Sequence, residues 1–104
     1  MILKEEVLEE SVICYFDSSN ILCVKYNVRD RKMAVIFGDG RQYVYEGVIP
    51  YHFQRFKVSK STGGGLKEHI VKNYAGSKVE KKLESEKLQE IKEFIESLKP
   101  IYLK

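Results

Sequence analysis

Hydrophobic and polar positions alternate most clearly between residues 12 and 45. Four short runs there are rich in β-branched and aromatic residues, which is typical of β-strands. They are VICYF (12–16), ILCVKYN (21–27), KMAVIF (32–37) and RQYVY (41–45). The turns between them, DSSN at 17–20 and GDG at 38–40 among them, are too short for parallel crossovers, so the pattern predicts an antiparallel β-meander.

The hydrophobic period changes to a helical one after Pro50, whose fixed φ suits the first turn of a helix. The segment SKSTGGG (59–65) is expected to end this first helix, because three consecutive glycines disfavour helical structure. A second short helix is predicted over 66–74, with Ala75 and Gly76 as its stop. The apolar positions are Ile49, Phe53 and Phe56 in the first helix, and Leu66, Ile70 and Tyr74 in the second.

Residues 78–98 have the composition and spacing of a longer amphipathic helix, which Pro100 ends. Its apolar stripe consists of Leu88, Ile91, Phe94, Ile95 and Leu98. Two interpretations fit this stripe: it covers the protein's own sheet, or it forms a self-association surface. The number of heptads is too small for a coiled-coil prediction.

The chain divides into three parts on this basis. Residues 1–11 mix acidic and apolar side chains and are expected to form an N-terminal arm, either frayed or a short helical turn. Residues 12–76 form an α+β domain, and residues 77–104 carry the C-terminal amphipathic helix. The predicted fold class is α+β: an antiparallel meander of three to four strands, two short helices and the longer C-terminal helix.

The net charge of +3 is unevenly distributed along the chain. Residues 1–17 hold one Lys against five acids, whereas residues 18–76 hold ten Lys or Arg against four acids. Residues 77–104 are nearly balanced, with seven Lys against six Glu. The positive excess of the middle segment favours an anionic partner such as nucleic acid.

The remaining composition bounds location and chemistry. No apolar run approaches the length of a membrane span, and the acidic N-terminus does not resemble a signal peptide, so a cytoplasmic protein without membrane contact is expected. Cys14 and Cys23 lie in apolar runs and are interpreted as buried free thiols. Neither the cysteines nor His52 and His69 complete a metal-binding pattern, so no metal and no cofactor are predicted.

Several features of the middle segment, in this order and spacing, resemble the KTSC domain. They are Ser18-Ser19-Asn20-Ile21, Tyr26, Tyr43-Val44-Tyr45, Val48-Ile49-Pro50, Ser61 with Gly63, and Ile70 with Tyr74. That family occurs at the C-terminus of some lysyl-tRNA synthetases and as stand-alone bacterial and viral proteins. The resemblance spans about residues 12–76 and implies a compact meander followed by helices. It implies no activity, although the attachment to a synthetase suggests an RNA-facing role, and a small viral or accessory protein fits the stand-alone form.

The glycine loop departs from the family's pattern. Where the family usually has an aromatic residue and then an Asn after the Ser-x-Gly, this chain has Gly65 and Lys67 nearby. Roles that depend on those two side chains therefore do not carry over.

The loop Ser61 to Gly65 is the first candidate site. A glycine-rich loop before a helix can hold phosphate with its backbone N–H groups, but Leu66 and Lys67 replace the GK[ST] sequence of a nucleotide-hydrolysing P-loop. The alternative is a flexible connector. The predicted phosphate or nucleic-acid site consists of Arg55, Lys57, Lys60, Ser61, Gly63, Gly64, Gly65 and Lys67, with Lys57, Lys60 and Lys67 surrounding the loop.

Tyr43 and Tyr45 complete this predicted site as a same-face pair on which bases could stack, with core packing as the alternative. His52, His69 and Cys23 are candidates for acid–base or nucleophilic chemistry, yet each lacks a motif partner, so no catalytic residue is predicted.

Three function classes follow. A non-enzymatic module that binds RNA or another phosphate-bearing ligand is preferred; a protein-interaction or homo-oligomeric accessory protein using residues 78–98 is the alternative; an enzyme ranks last.

Overall fold

The computed structural model describes residues 2–99 and contains one six-stranded antiparallel sheet. The strands are β1 (Ile2–Val7), β2 (Ser11–Phe16), β3 (Ile21–Asn27), β4 (Lys32–Phe37), β5 (Gln42–Tyr45) and β6 (Gly76–Lys78). Their order in the sheet is their order in the chain. The prediction of an antiparallel meander in an α+β fold is confirmed, but the sheet has two more strands than the upper limit expected.

Three helices accompany the sheet: α1 (Pro50–Lys57), α2 (Thr62–Leu66) and α3 (Ser85–Leu98). A single π-helical turn, Lys67–Val71, continues α2 without a break. Helix α3 begins later than residue 78, because residues 76–78 form β6 and the chain then follows β5, with hydrogen bonds from Val79 N–H to the Gln42 carbonyl and from Leu83 N–H to the Gly40 carbonyl. None of the helices in residues 2–99 is both long and apolar enough to cross a membrane.

The prediction of a frayed or helical N-terminal arm was wrong. Residues 2–7 form the edge strand β1, which pairs with β2 from Ile2 opposite Phe16 to Val7 opposite Val12. An edge strand pairs with a neighbour along one side only and lies at the margin of the sheet, so it can carry charges on both faces. These charges hide the alternation of apolar and polar residues that marks an inner strand. Lys4 and Glu6 lie on one face as an ion pair 3.7 Å apart, whereas Glu5 lies on the other.

Helices cover both faces of the sheet. On one face, Phe53 of α1 stacks on Tyr26 with ring centroids 4.3 Å apart, and Phe56 lies 5.4 Å from Phe16. On the opposite face, Phe94 of α3 meets Tyr15 edge to face at 4.8 Å. Because neighbouring strand residues point to opposite faces, the sheet lies between two helical layers. Phe94 of the apolar stripe of α3 thus packs on the protein's own sheet.

The two cysteines lie on opposite faces of this sheet. Cys14 pairs with Val24, and Cys23 pairs with the next residue of β2, Tyr15. Both thiols are free and buried, which confirms their interpretation as small core side chains. Burial raises the pKa of each thiol to about 11, because the thiolate loses its hydration there.

We expect both native thiols to resist alkylation. Because a pKa of about 11 leaves little thiolate, iodoacetamide at about pH 8 should modify the folded chain at least ~100-fold more slowly than the urea-unfolded chain. The raised pKa of the thiols also makes the stability of the fold depend on pH. Burial of the neutral thiols stabilises the fold fully below their unfolded pKa, and this stabilisation is lost as the pH rises towards about 11. Mass spectrometry of quenched samples measures the rates, and equal rates in the two states would contradict this burial.

Candidate nucleic-acid interface

The glycine segment forms the first turn of α2 rather than a connecting loop. Ser61 is the N-cap in extended conformation, and its hydroxyl accepts a hydrogen bond of 3.1 Å from Gly64 N–H. Its carbonyl accepts a second one of 2.8 Å from Gly65 N–H. The expectation that three glycines exclude a helix was therefore wrong: this cap and the packing of the next turn offset their low propensity.

Close packing between α1 and α2 explains why Gly65 is needed. A Cβ atom at position 65 would lie 2.5 Å from the Cβ and Oγ of Ser59 and 3.3 Å from the Phe56 carbonyl oxygen. Gly63 has the opposite environment, since nothing lies within 4 Å of the corresponding point and the residue is exposed. One glycine thus allows the helices to approach, whereas the other leaves open backbone at the surface.

The exposed start of α2 lies against the turn between β2 and β3. The two segments enclose a shallow polar cleft of about 280 Å³, lined by Asp17, Ser18, Ser19, Asn20, Lys60, Ser61, Thr62 and Gly63. The Ser18 hydroxyl accepts hydrogen bonds of 3.3 Å from the N–H groups of Asn20 and Ile21, which shapes this turn. We refer to the cleft between the two segments as the phosphate cleft, after the ligand that the sequence predicts for this loop. Helix α3 lies on the other face of the sheet and does not line it.

The structure separates the predicted cations. Lys60 lines the phosphate cleft, and Arg55 and Lys67 are exposed without an ion pair among residues 2–99. Lys57 does not join them: its ammonium group lies 2.9 Å from the Glu5 carboxylate and 5.7 Å from the Phe53 ring centroid, and its side chain is only 16% exposed. The β1 strand, which sequence reasoning placed in an arm, supplies the carboxylate that holds Lys57 away from the loop.

The predicted tyrosine platform is part of the core. Tyr43 and Tyr45 share a face, but Tyr45 is 6% exposed, and burial raises the pKa of its hydroxyl. Tyr43 is half-buried and meets Phe37 edge to face at 5.7 Å. The alternative of core packing therefore describes this pair, and a base cannot stack on Tyr45 in this arrangement.

His52 is tied to Tyr74 rather than to a nucleophile. Its Nδ1 atom lies 2.6 Å from the Tyr74 hydroxyl, which also accepts a hydrogen bond of 3.1 Å from Ile49 N–H. His69 is half-buried, and its carbonyl accepts a hydrogen bond from the Asn73 side chain. Within residues 2–99, no three His, Cys, Asp or Glu side chains are grouped as metal ligands would be.

Comparison with known proteins decides the family. The model of the KTSC domain matches residues 17–74, which is more than half of the chain. The chain belongs to the KTSC domain family. The crystal structure of a KTSC domain protein from Yersinia pestis is similar to it, with a TM-score of 0.59 and 22% sequence identity over 73% of this chain and 96% of that one. At this identity the likeness concerns the fold alone. The comparison with curated proteins finds no match.

Several KTSC features have structural roles here. The Tyr26 hydroxyl donates a hydrogen bond of 2.6 Å to the buried Val48 carbonyl, and Tyr74 holds the next residue through Ile49 N–H. Together they fix the Val48-Ile49-Pro50 segment from which α1 begins. The serine-rich turn and the Ser-x-Gly sequence instead form the two walls of the phosphate cleft. Both walls lie inside the KTSC match, whereas β1, β6 and α3 lie outside it.

Sequence reasoning missed the side chains that line the surface near the turn at 18–20. Arg41 belongs to the turn before β5 and Lys92 belongs to α3, yet both line a second cleft that shares Ser18, Ser19 and Asn20 with the first. Arg41 is predicted only as the start of a strand, and Lys92 lies in the predicted amphipathic helix without an assigned role. No local pattern indicates that these segments meet, because their contact depends on how the sheet and α3 pack.

Proposed function

We propose that this KTSC domain is a non-enzymatic module that binds single-stranded RNA through its phosphate backbone. One observation carries the proposal: Lys60 and the open start of α2 face the serine-rich turn across a polar cleft that is accessible to solvent. Phosphate oxygens accept hydrogen bonds from lysine ammonium, serine hydroxyl and backbone N–H groups, all of which this cleft contains.

Steric access favours close approach of a phosphate at Gly63. Apart from Gly63 itself, its chain neighbours and the backbone of α2, no atom lies within 4 Å of the point where its Cβ would be, so a ligand oxygen can come near the peptide backbone there. The hydroxyl of Ser19 belongs to the opposite wall, and Ser19 is exposed. The cleft thus offers donors from both sides to one anionic group.

The surrounding charge also favours an anion. Arg55 lies in the last turn of α1 and Lys67 directly follows α2; both are exposed, although neither lines the cleft. Asp17, the one carboxylate that lines it, has an ammonium neighbour, since Lys99 Nζ lies 3.6 Å from its Oδ1. Exposed ion pairs contribute little to stability, but this one reduces the repulsion that Asp17 would exert on a phosphate.

Charge reversal at Lys60 tests the proposal. We expect Lys60→Glu to weaken binding of a fluorescent single-stranded RNA by about 3- to 10-fold and to lower the slope of log K against log salt by about 1, because one phosphate contact is lost. Fluorescence anisotropy at several salt concentrations measures both quantities. Lys81→Glu is the matched control, since Lys81 is exposed, lines neither cleft and changes the net charge equally.

Two results would contradict the proposal. One is the absence of salt-dependent RNA binding by the unaltered chain; the other is an equal loss of affinity in Lys60→Glu and Lys81→Glu. Equal losses would mean that RNA responds to overall charge rather than to this cleft.

Association through residues 78–98 stays a prediction. Ile95 of the apolar stripe is 5% exposed in the packed α3, and Phe94 contacts Tyr15. A partner that used this stripe would have to displace α3 from the sheet, so the structure offers no observation that favours this function over RNA binding.

A further inference from the structure

A larger cleft adjoins the phosphate cleft on the other side of the turn at 18–20. It measures about 490 Å³, within the size range of small-molecule sites. Helix α3 forms one wall and the turn at 38–41 forms another. Leu22, Ile95 and Phe37 are among its apolar lining residues. Because α3 lies outside the KTSC match, this cleft combines the family's domain with a segment that the match does not cover.

Arg41 presents a flat, fixed surface in this cleft. Its guanidinium lies 5.1 Å from the Phe37 ring centroid, and its Nε lies 2.7 Å from Asp39 Oδ2. The Arg41 backbone N–H also donates a hydrogen bond of 3.0 Å to Asp39 Oδ1. The side chain nevertheless remains 42% exposed. Contacts with a ring and a carboxylate restrain the guanidinium while the side chain stays partly exposed, so it can stack on another flat group.

The charged side chains around the cleft differ in availability. Lys99 is shared between Asp17 and Glu96, at 3.6 Å and 3.2 Å. Lys92 is exposed and makes no ion pair within residues 2–99. With Arg41 balanced by Asp39, Lys92 is the side chain on this wall that is available to neutralise an anionic ligand.

The two clefts form neighbouring parts of one surface. Ser18, Ser19 and Asn20 line both, with Lys60 on one side of the turn and Arg41 on the other. A ligand with phosphates next to a flat ring would match this spatial arrangement: polar donors at the turn, the guanidinium of Arg41 and the ammonium group of Lys92. Nucleotides of single-stranded RNA have this chemistry, and unstacked bases commonly stack on arginine planes.

We infer that the larger cleft receives a base of the bound RNA, which stacks on Arg41 while the strand's phosphates lie at Lys60 and Lys92. This inference rests on the proposed RNA-binding function and adds to it a requirement for bases. It also assigns Arg41 a role that depends on its shape and not only on its charge.

Arg41→Lys separates shape from charge. The affinities of a fluorescent five-nucleotide oligoadenylate and of a pentamer with the same backbone but no bases are compared in the unaltered chain and the variant. The base-containing strand is expected to bind at least about 5-fold tighter to the unaltered chain, and this ratio should fall below about 2-fold in Arg41→Lys. Arg29→Lys is the matched control, because Arg29 is exposed, pairs with Glu10 and lines neither cleft.

The outcomes separate the two proposals. If the base-free pentamer binds with salt dependence but bases add nothing, or if Arg41→Lys keeps the full ratio, the base site is refuted and backbone binding survives. If neither pentamer binds, both proposals fail. Adenosine monophosphate is the third probe: an affinity equal to that of the oligoadenylate would show a free-nucleotide site and overturn the assignment to an RNA strand, whereas much weaker binding supports it.

Discussion

Replacing Gly65 with alanine is expected to lower the free energy of unfolding by about 2–3 kcal/mol. The added methyl group would lie 2.5 Å from both the Cβ and the Oγ of Ser59. Rotation of the Ser59 hydroxyl cannot relieve the contact with its Cβ, so α1 and α2 must move apart. Urea unfolding followed by circular dichroism measures the change, with the m value checked for constancy.

Gly63→Ala provides the matched control, because it adds the same methyl group two residues earlier in the same helix. Position 63 has no neighbouring atom within 4 Å, so the substitution should stabilise the chain by up to about 1 kcal/mol through higher helix propensity. If Gly65→Ala proved no more destabilising than Gly63→Ala, the close approach of α1 and α2 would be incorrect.

Tyr26→Phe is expected to destabilise the chain by about 1–3 kcal/mol. The substitution keeps the ring that stacks on Phe53 but removes the hydroxyl that donates to the Val48 carbonyl at 2.6 Å. Val48 is fully buried, so its carbonyl would lose this partner inside the core. Thermal and urea unfolding report the change, and the start of α1 should show the largest rise in amide hydrogen exchange.

The comparison variant for this prediction is Tyr43→Phe. The Tyr43 hydroxyl makes no hydrogen bond within residues 2–99, and its ring is only half-buried, so its loss should change stability by less than about 0.5 kcal/mol. Equal effects of the two substitutions would show that the Tyr26 hydroxyl does not hold the segment before α1.

The central strands were predictable because they alternate apolar and polar residues between clear turn signals. The outer parts of the sheet were not. β1 reads as a charged segment, since Lys4 and Glu6 face α3's side of the sheet and Glu5 pairs with Lys57 on the other. β6 consists of Gly76, Ser77 and Lys78 and has no hydrophobic side chain. It is defined by its pairing with β5.

The glycine segment shows where local propensity is insufficient. Propensity alone excludes a helix through Gly63, Gly64 and Gly65, yet tertiary packing requires a residue without a side chain at Gly65. Among the predicted cations around the loop, no local pattern indicates that Lys57 pairs with Glu5, which is 52 positions away in the chain. No local pattern indicates that Arg41 and α3 line the same cleft either.

The order of the strands has a consequence for how the chain folds. The first four strand pairings join neighbours in the sequence, so each hairpin closes through a short loop and can form while later residues are still being synthesised. β6 differs, because its pairing with β5 spans both α1 and α2, from Tyr45 to Gly76. We expect this pairing to complete the sheet late, after α1 and α2 have docked and brought β6 next to β5.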